Sequence, residues 1–140
     1  MNQNELDKDD IGFLKYIGAE VLDCVDGYAQ LAFEVKPHHQ QHMGVVHGGA
    51  IATLADHTGW YAVISKLDQG FTSVTIEIKI NYLKPASGDI LRAEAKVVNR
   101  TKRTAFATIE IFSKDLLVAY ATGTYAIIDE RKIKNLDVKQ

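Results

Sequence analysis

Residues 44–67 read GVVHGGAIATLADHTGWYAVISKL, and this stretch decides the fold. From Ala50 onward it contains no proline, is rich in alanine, and is long enough for about five helical turns. Its apolar residues, Ile51, Leu54, Ala55, Trp60, Val63 and Ile64, fall on more than one face of such a helix. A helix that is apolar nearly all round belongs in the interior. His47, Asp56, His57 and Lys66 interrupt the stretch, so it lacks the roughly eighteen uninterrupted apolar residues of a membrane span.

The flanks on both sides have a period of two. Upstream, Ala29, Leu31, Phe33 and Val35 alternate with Gln30, Glu34 and Lys36, the pattern of a half-buried strand. Asp26-Gly27 separates this run from Val21–Val25. An Asp-Gly pair between two such runs predicts a hairpin, because both turn residues tolerate positive φ. Pro37 ends the strand, having no N–H for a ladder, and residues 38–46 form a polar, turn-rich loop. Downstream, Val74, Ile76, Ile78, Ile80 and Tyr82 alternate with Thr75, Glu77, Lys79 and Asn81, which places the apolar set toward the core and Thr75 on the polar face. Leu91, Ala93, Ala95 and Val97 alternate in the same way, and the runs 104–112 and 116–128 follow, with a tight turn at Ser113-Lys114-Asp115. Trp60, Tyr61, Phe71 and Tyr82 are read as core aromatics. Ile11, Phe13, Leu14 and Ile17 lie at helical spacing, so residues 1–17 are expected as an N-terminal helical segment and 129–140 as a polar C-terminal tail. The order helix, hairpin, long helix, four strands predicts an α+β fold with one antiparallel sheet wrapped around one buried helix.

Composition narrows the rest. The 140 residues fit one domain, 1–140, and 46% hydrophobic with 24% charged is an ordinary globular balance. Sixteen basic against eighteen acidic residues leave a net charge of −2, without the basic footprint of a nucleic-acid partner. Cys24 is the single cysteine, which excludes a disulfide framework and the Cys-rich zinc motifs; it is expected as a small buried hydrophobe. The N-terminus, MNQNELDKDD, lacks the cationic start and apolar run of a signal peptide, so a cytoplasmic location is expected, with no membrane partner.

Three features carry chemistry. Gly48 and Gly49 open the long helix, where the first N–H groups have no intrahelical acceptor. Glycine lets a ligand oxygen approach that backbone, and the helix dipole favours negative charge there. The plainer alternative is a tight loop-to-helix turn. Asp56 lies inside the helix among Leu54, Ala55 and Trp60, and a carboxylate buried there costs several kcal/mol unless it is paired or performs a task. It is either a general base or nucleophile, or a structural residue tied to Thr53 or Thr58 or facing solvent. Gly48 and Asp56 are eight residues apart, about 12 Å along a helix axis. One reacting carbon cannot lie within about 3 Å of both from the same helix, so if both act together they belong to different subunits. His38, His39, His42 and His47 have no carboxylate at tight spacing, and no metal site is expected.

The string GVVHGGAIATLADHTGW resembles the signature of hotdog-fold acyl-CoA thioesterases of the PaaI-like, phenylacetate-degradation type: Gly44, His47, Gly48, Gly49 and Asp56 fall in register with it. Tyr82, Pro85, Ala86 and Gly88 match a turn that follows the third strand of that family, and the likeness covers about Gly18 to Ile128. It implies a hotdog fold, a fatty or aromatic acyl-CoA as substrate, and sites at a homodimer interface that pair the glycine of one chain with the aspartate of the other. Tetramers built as dimers of dimers are common among such proteins. The Gly48 N–H would polarise the thioester carbonyl. Gln41, where many relatives have Asn, would assist it, and Asp56 would activate water or attack directly. Thr75 matches a Ser/Thr position that reaches the leaving group or the water; as a bare residue it is equally a good β-former. His47 would orient the substrate or cap the loop, and Gly49 would lie against the substrate. Arg100, Lys102 and Arg103, with Lys84, would hold the phosphates of coenzyme A, unless they form a solvated hairpin tip. No cofactor is required. The alternatives are a hotdog dehydratase or hydratase on hydroxyacyl thioesters, against which the His-Gly-Gly pattern argues, and a non-catalytic acyl-CoA-binding protein.

Overall fold

The computed structural model describes residues 12–137, the side chains of 134–137 excepted. Residues 1–11, and with them most of the expected N-terminal helix, lie outside that range. What is described begins with a short helix, α1 (Gly12–Ile17), which buries Leu14 and Ile17. Strands β1 (Glu20–Val25) and β2 (Tyr28–Glu34) follow. Between them Asp26 and Gly27 have φ of 43° and 84°, the double positive φ that a two-residue hairpin requires.

After a 3₁₀ turn at Pro37–His39, helix α2 (Gly48–Ile64) runs for 17 residues. It packs against all six strands. Strands β3 (Phe71–Tyr82), β4 (Ile90–Arg100), β5 (Thr104–Ser113) and β6 (Leu116–Asp129) complete one sheet of order β1-β2-β4-β5-β6-β3. Every pairing is antiparallel, and the arrangement is the hotdog fold. Alternate small residues on the helix-facing side, Ala29, Ala93, Ala95, Ala105, Ala107, Ala119 and Ala121, are buried. They let α2 lie close to the sheet, while Leu31, Phe33, Leu91, Ile109 and Ile111 fill the space beside it.

One expectation needs correction. The β3 alternation is not continuous: a bulge shifts the register between Thr75 and Glu77. Before the bulge Ser73 is buried while Val74 is 48% exposed, and Ile76 at the bulge is 59% exposed. Beyond it Ile78 and Ile80 pack on the core as expected. An extra residue in one strand reverses which parity faces inward, so Thr75 is on the helix side rather than on the polar face. At the other end, the segment expected as a polar tail forms a helix, α3 (Glu130–Asp137).

Candidate active site

Helix α2 runs alongside β3 and is tied to it at three heights. The Tyr82 hydroxyl donates to the Gly48 carbonyl at 2.9 Å, Thr75 Oγ1 donates to Asp56 Oδ1 at 2.7 Å, and Trp60 Nε1 donates to the Ser73 carbonyl at 2.8 Å. The middle tie depends on the bulge, which turns Thr75 inward onto the carboxylate. Neither threonine expected as a structural partner of Asp56 serves it. Thr53 and Thr58 donate instead to the carbonyls one helical turn back, Gly49 and Leu54. Asp56 is held from β6 as well, where the Tyr125 hydroxyl donates to its main-chain carbonyl at 3.1 Å. Burial, reinforced by the adjacent Asp56 charge, pushes the Tyr125 hydroxyl well above the ordinary tyrosine pKa, so it remains a donor. Burial also holds the neighbouring His57 below the usual histidine range, against the opposing pull of Asp56.

The N-terminal end of α2 is built differently. His47 is the cap: its Nδ1 accepts the Gly49 N–H at 2.8 Å, and its carbonyl accepts from Ala50 and Ile51 at 2.9 and 3.2 Å. The capping role weighed for His47 is therefore present, and the Gly49 N–H is engaged by it rather than free for a substrate. A Cβ on Gly49 would stand 3.0 Å from that Nδ1, so glycine is what lets the cap close. The Gly48 N–H, by contrast, has no acceptor among the described residues. A Cβ on Gly48 would meet only the Tyr82 ring at 3.4 Å, and its φ is not positive. Chain geometry does not require a glycine there. Gln41 turns its Oε1 back to the Met43 N–H within its own loop, leaving its NH₂ group without an acceptor among the described residues.

The cationic residues separate. Arg100, Lys102 and Arg103 line a cleft of 870 Å³ together with Lys132, Phe71 and Ile127. Arg100 pairs with Ala105, Ala105 with Tyr125, and Tyr125 with Thr75. The tip therefore closes the same end of the sheet that carries the partners of Asp56. Lys84 lies beyond the opposite end of β3, exposed, with its N–H on the Val118 carbonyl. It is grouped with the Gly48 end and not with the cleft.

Among the described residues no three His, Cys, Asp or Glu side chains come together as a metal site, and no helix is long and apolar enough to cross a membrane. The buried His39 accepts the Lys36 N–H on Nδ1 at 2.9 Å and donates from Nε2 to the Ile17 carbonyl at 2.7 Å. Cys24 is half-buried, its thiol pushed up to about 11 by burial and the nearby Asp23. Of the expected core aromatics, Tyr61 is buried, Trp60 and Phe71 are half-buried, and Tyr82 is 53% exposed because it reaches over the helix start.

Tyr125 and Lys132 do not emerge from sequence reasoning. Tyr125 sits in a strand where its inward parity looks like any other core position, and Lys132 follows an unrecognised helix start. The one available signal for Tyr125 was the pair of glycines, Gly59 and Gly123, placed where a side chain on either would strike its ring.

The family model that matches residues 43–120 is that of the thioesterase superfamily. The chain is 28% identical over 131 residues to the medium/long-chain acyl-CoA thioesterase YigI of Salmonella typhimurium, covering 82% of this chain and 84% of that one. Among solved structures, PaaI of the E. coli phenylacetic acid degradation operon superposes with a TM-score of 0.82 at 28% identity, covering 91% of each chain. PaaI of Thermus thermophilus superposes at 0.75 with 31% identity, covering 82% of this chain and 97% of that one.

Proposed function

The chain belongs to the thioesterase superfamily, and from that premise we propose that it hydrolyses the thioester of a fatty or aromatic acyl-CoA to the free acid and coenzyme A. The observation that carries this reading is the Asp56 carboxylate, which lies on the largely buried helix α2 and accepts from Thr75. The substrate carbonyl accepts the unpaired Gly48 N–H at the positive end of the helix dipole, with the Gln41 NH₂ as a second donor. Asp56 takes a proton from a water molecule and the resulting hydroxide attacks the carbonyl carbon. The oxyanion so formed lies on Gly48, the C–S bond breaks, and the thiolate leaves with the proton returned from Asp56. Thr75 fixes the carboxylate oxygen that does not face the water.

Gly48 and Asp56 are separated by about two helical turns, so the pair acting on one carbonyl comes from two chains. The two sheet edges differ in a way that supports a homodimer through β3. β1 is six residues long and carries Glu20 and Asp23, whereas β3 is twelve residues long and exposes Val74 and Ile76. A tetramer made of two such dimers remains part of the proposal. The cleft of Arg100, Lys102, Arg103 and Lys132 takes the phosphates of coenzyme A.

The test is thiol release from acetyl-, hexanoyl-, dodecanoyl-, benzoyl- and phenylacetyl-CoA, followed with a colorimetric thiol reagent. An enzyme-only blank subtracts the thiol of the half-buried Cys24. Turnover of at least one member supports the reading and ranks the acyl groups. Binding without turnover across the panel would instead make the chain an acyl-CoA-binding protein.

A further inference from the structure

We propose that Tyr125 is a positioning residue for the Asp56 carboxylate, fixing the turn of α2 that carries it while Thr75 fixes the carboxylate itself. The inference rests on the reading of Asp56 as the catalytic carboxylate.

Four observations converge on it. The Tyr125 hydroxyl donates to the Asp56 main-chain carbonyl at 3.1 Å, and Thr75 donates to the Asp56 side chain at 2.7 Å. Tyr125 and Thr75 are directly opposed in the β3–β6 ladder, so two adjacent strands hold one helical residue from the same register row, one by its backbone and one by its carboxylate. Tyr125 has no exposed surface, and a buried phenol needs a partner for its O–H. The chain also keeps space for it at two separate places. A Cβ on Gly59 would overlap the Tyr125 hydroxyl, and one on Gly123 would stand 2.6 Å from its ring. A phenylalanine would fill the same slot without any tie to the helix. The carbonyl can accept the added bond because its second lone pair is not used by the helical ladder. A catalytic group displaced by a fraction of an ångström loses much of its rate advantage, so a tie at this turn acts on turnover more than on binding.

The test is a double-mutant cycle of Tyr125→Phe and Asp56→Asn, with kcat and KM measured on the best-turned-over acyl-CoA of the panel and thermal melts run in parallel. Tyr125→Phe keeps the packed ring. It should lower kcat about tenfold with KM unchanged within about twofold. In the Asp56→Asn background the same substitution should change kcat by less than about twofold, because no carboxylate remains to be placed. Equal losses in both backgrounds, or no loss in the parent, would overturn the proposal. Gly59→Ala disturbs the same bond from the helix side, so combining it with Tyr125→Phe should cost no more kcat than Gly59→Ala alone. Losses that multiply would count against a shared tie. Near-parental turnover of Asp56→Asn removes the catalytic reading and this inference with it. An inactive Asp56→Asn beside an unaffected Tyr125→Phe removes the role of Tyr125 alone.

Discussion

The two turns of α2 proposed to carry chemistry present opposite groups. At Asp56 the helix is held from outside itself, by Thr75 on β3 and Tyr125 on β6. At Gly48 the helix is also tied to β3, Tyr82 donating to the Gly48 carbonyl, and His47 accepts the Gly49 N–H, but the Gly48 N–H is left without an acceptor among the described residues. One turn presents a fixed acceptor and the other an unused donor. Placed about 12 Å apart on one helix, they cannot meet on one carbonyl, and the proposed site therefore draws its donor and its acceptor from two chains.

The sharpest way to break the comparison is at its acceptor end. Asp56→Asn preserves size and can still accept from Thr75, so the protein should fold while kcat falls about 10²–10⁴-fold. Turnover within a few-fold of the parent, measured by thiol release, would remove Asp56 from the chemistry. The donor end is tested by Gly48→Pro. Proline suits the first helical position and has no N–H, and His47 already holds an extended conformation with ψ of 136°, as a residue before proline must. The helix should persist by circular dichroism, with kcat lower by about 10²-fold. An unaltered kcat would mean that the Gly48 N–H is not the oxyanion donor.

Two smaller effects sharpen the contrast. The basic cleft adjoins the Asp56 end but touches neither half-site, so Arg100→Ala with Arg103→Ala should raise KM by about three- to tenfold with kcat unchanged, the difference shrinking at high salt. A change confined to kcat would place those arginines elsewhere in the mechanism. His39 adjoins the Gly48 end, its carbonyl accepting the His47 N–H at 2.7 Å, while its ring bridges the Lys36 N–H and the Ile17 carbonyl. Burial chiefly lowers its pKa against the opposing hydrogen bond to the Ile17 carbonyl, and the charges of His38 and Lys36 add to the lowering. The folded chain therefore holds it neutral where the unfolded chain would protonate. The stability it contributes is complete above about pH 6.5 and is lost as pH falls below that toward the folded-state pKa. The melting temperature should drop between pH 7 and pH 5, by less in His39→Gln, with His57 supplying part of the slope. Identical pH dependence in the two proteins would remove His39 from the account.

The all-round apolar surface of residues 50–64 was enough to bury α2, and Asp26-Gly27 was enough to place the first hairpin, because both signals are local. The placement of Gly48 and Asp56 on that helix was legible for the same reason. The bulge at Thr75–Glu77 was not, since it exists only in the register between β3 and β6, strands separated by the whole of β4 and β5. That single inserted residue reverses the reading of Thr75 and converts an apparent surface strand-former into the partner of Asp56. Tyr125 was hidden by the same distance. Its partners lie 69 positions away on α2 and across the ladder on β3, and only the two glycines that clear its path mark it in the chain.

The central claim is that a working site takes Gly48 from one chain and Asp56 from another. The direct measurement mixes Gly48→Pro and Asp56→Asn proteins, each about a hundredfold or more below the parent alone, after partial unfolding and reassembly in equal amounts. Random pairing makes half of the dimers mixed, and each mixed dimer has one site with both lesions and one with neither, so activity should return to about a quarter of the parental value. If both residues serve a site within one chain, every site keeps a lesion and no activity returns, and a parent that is fully active as a monomer would contradict the account in the same way.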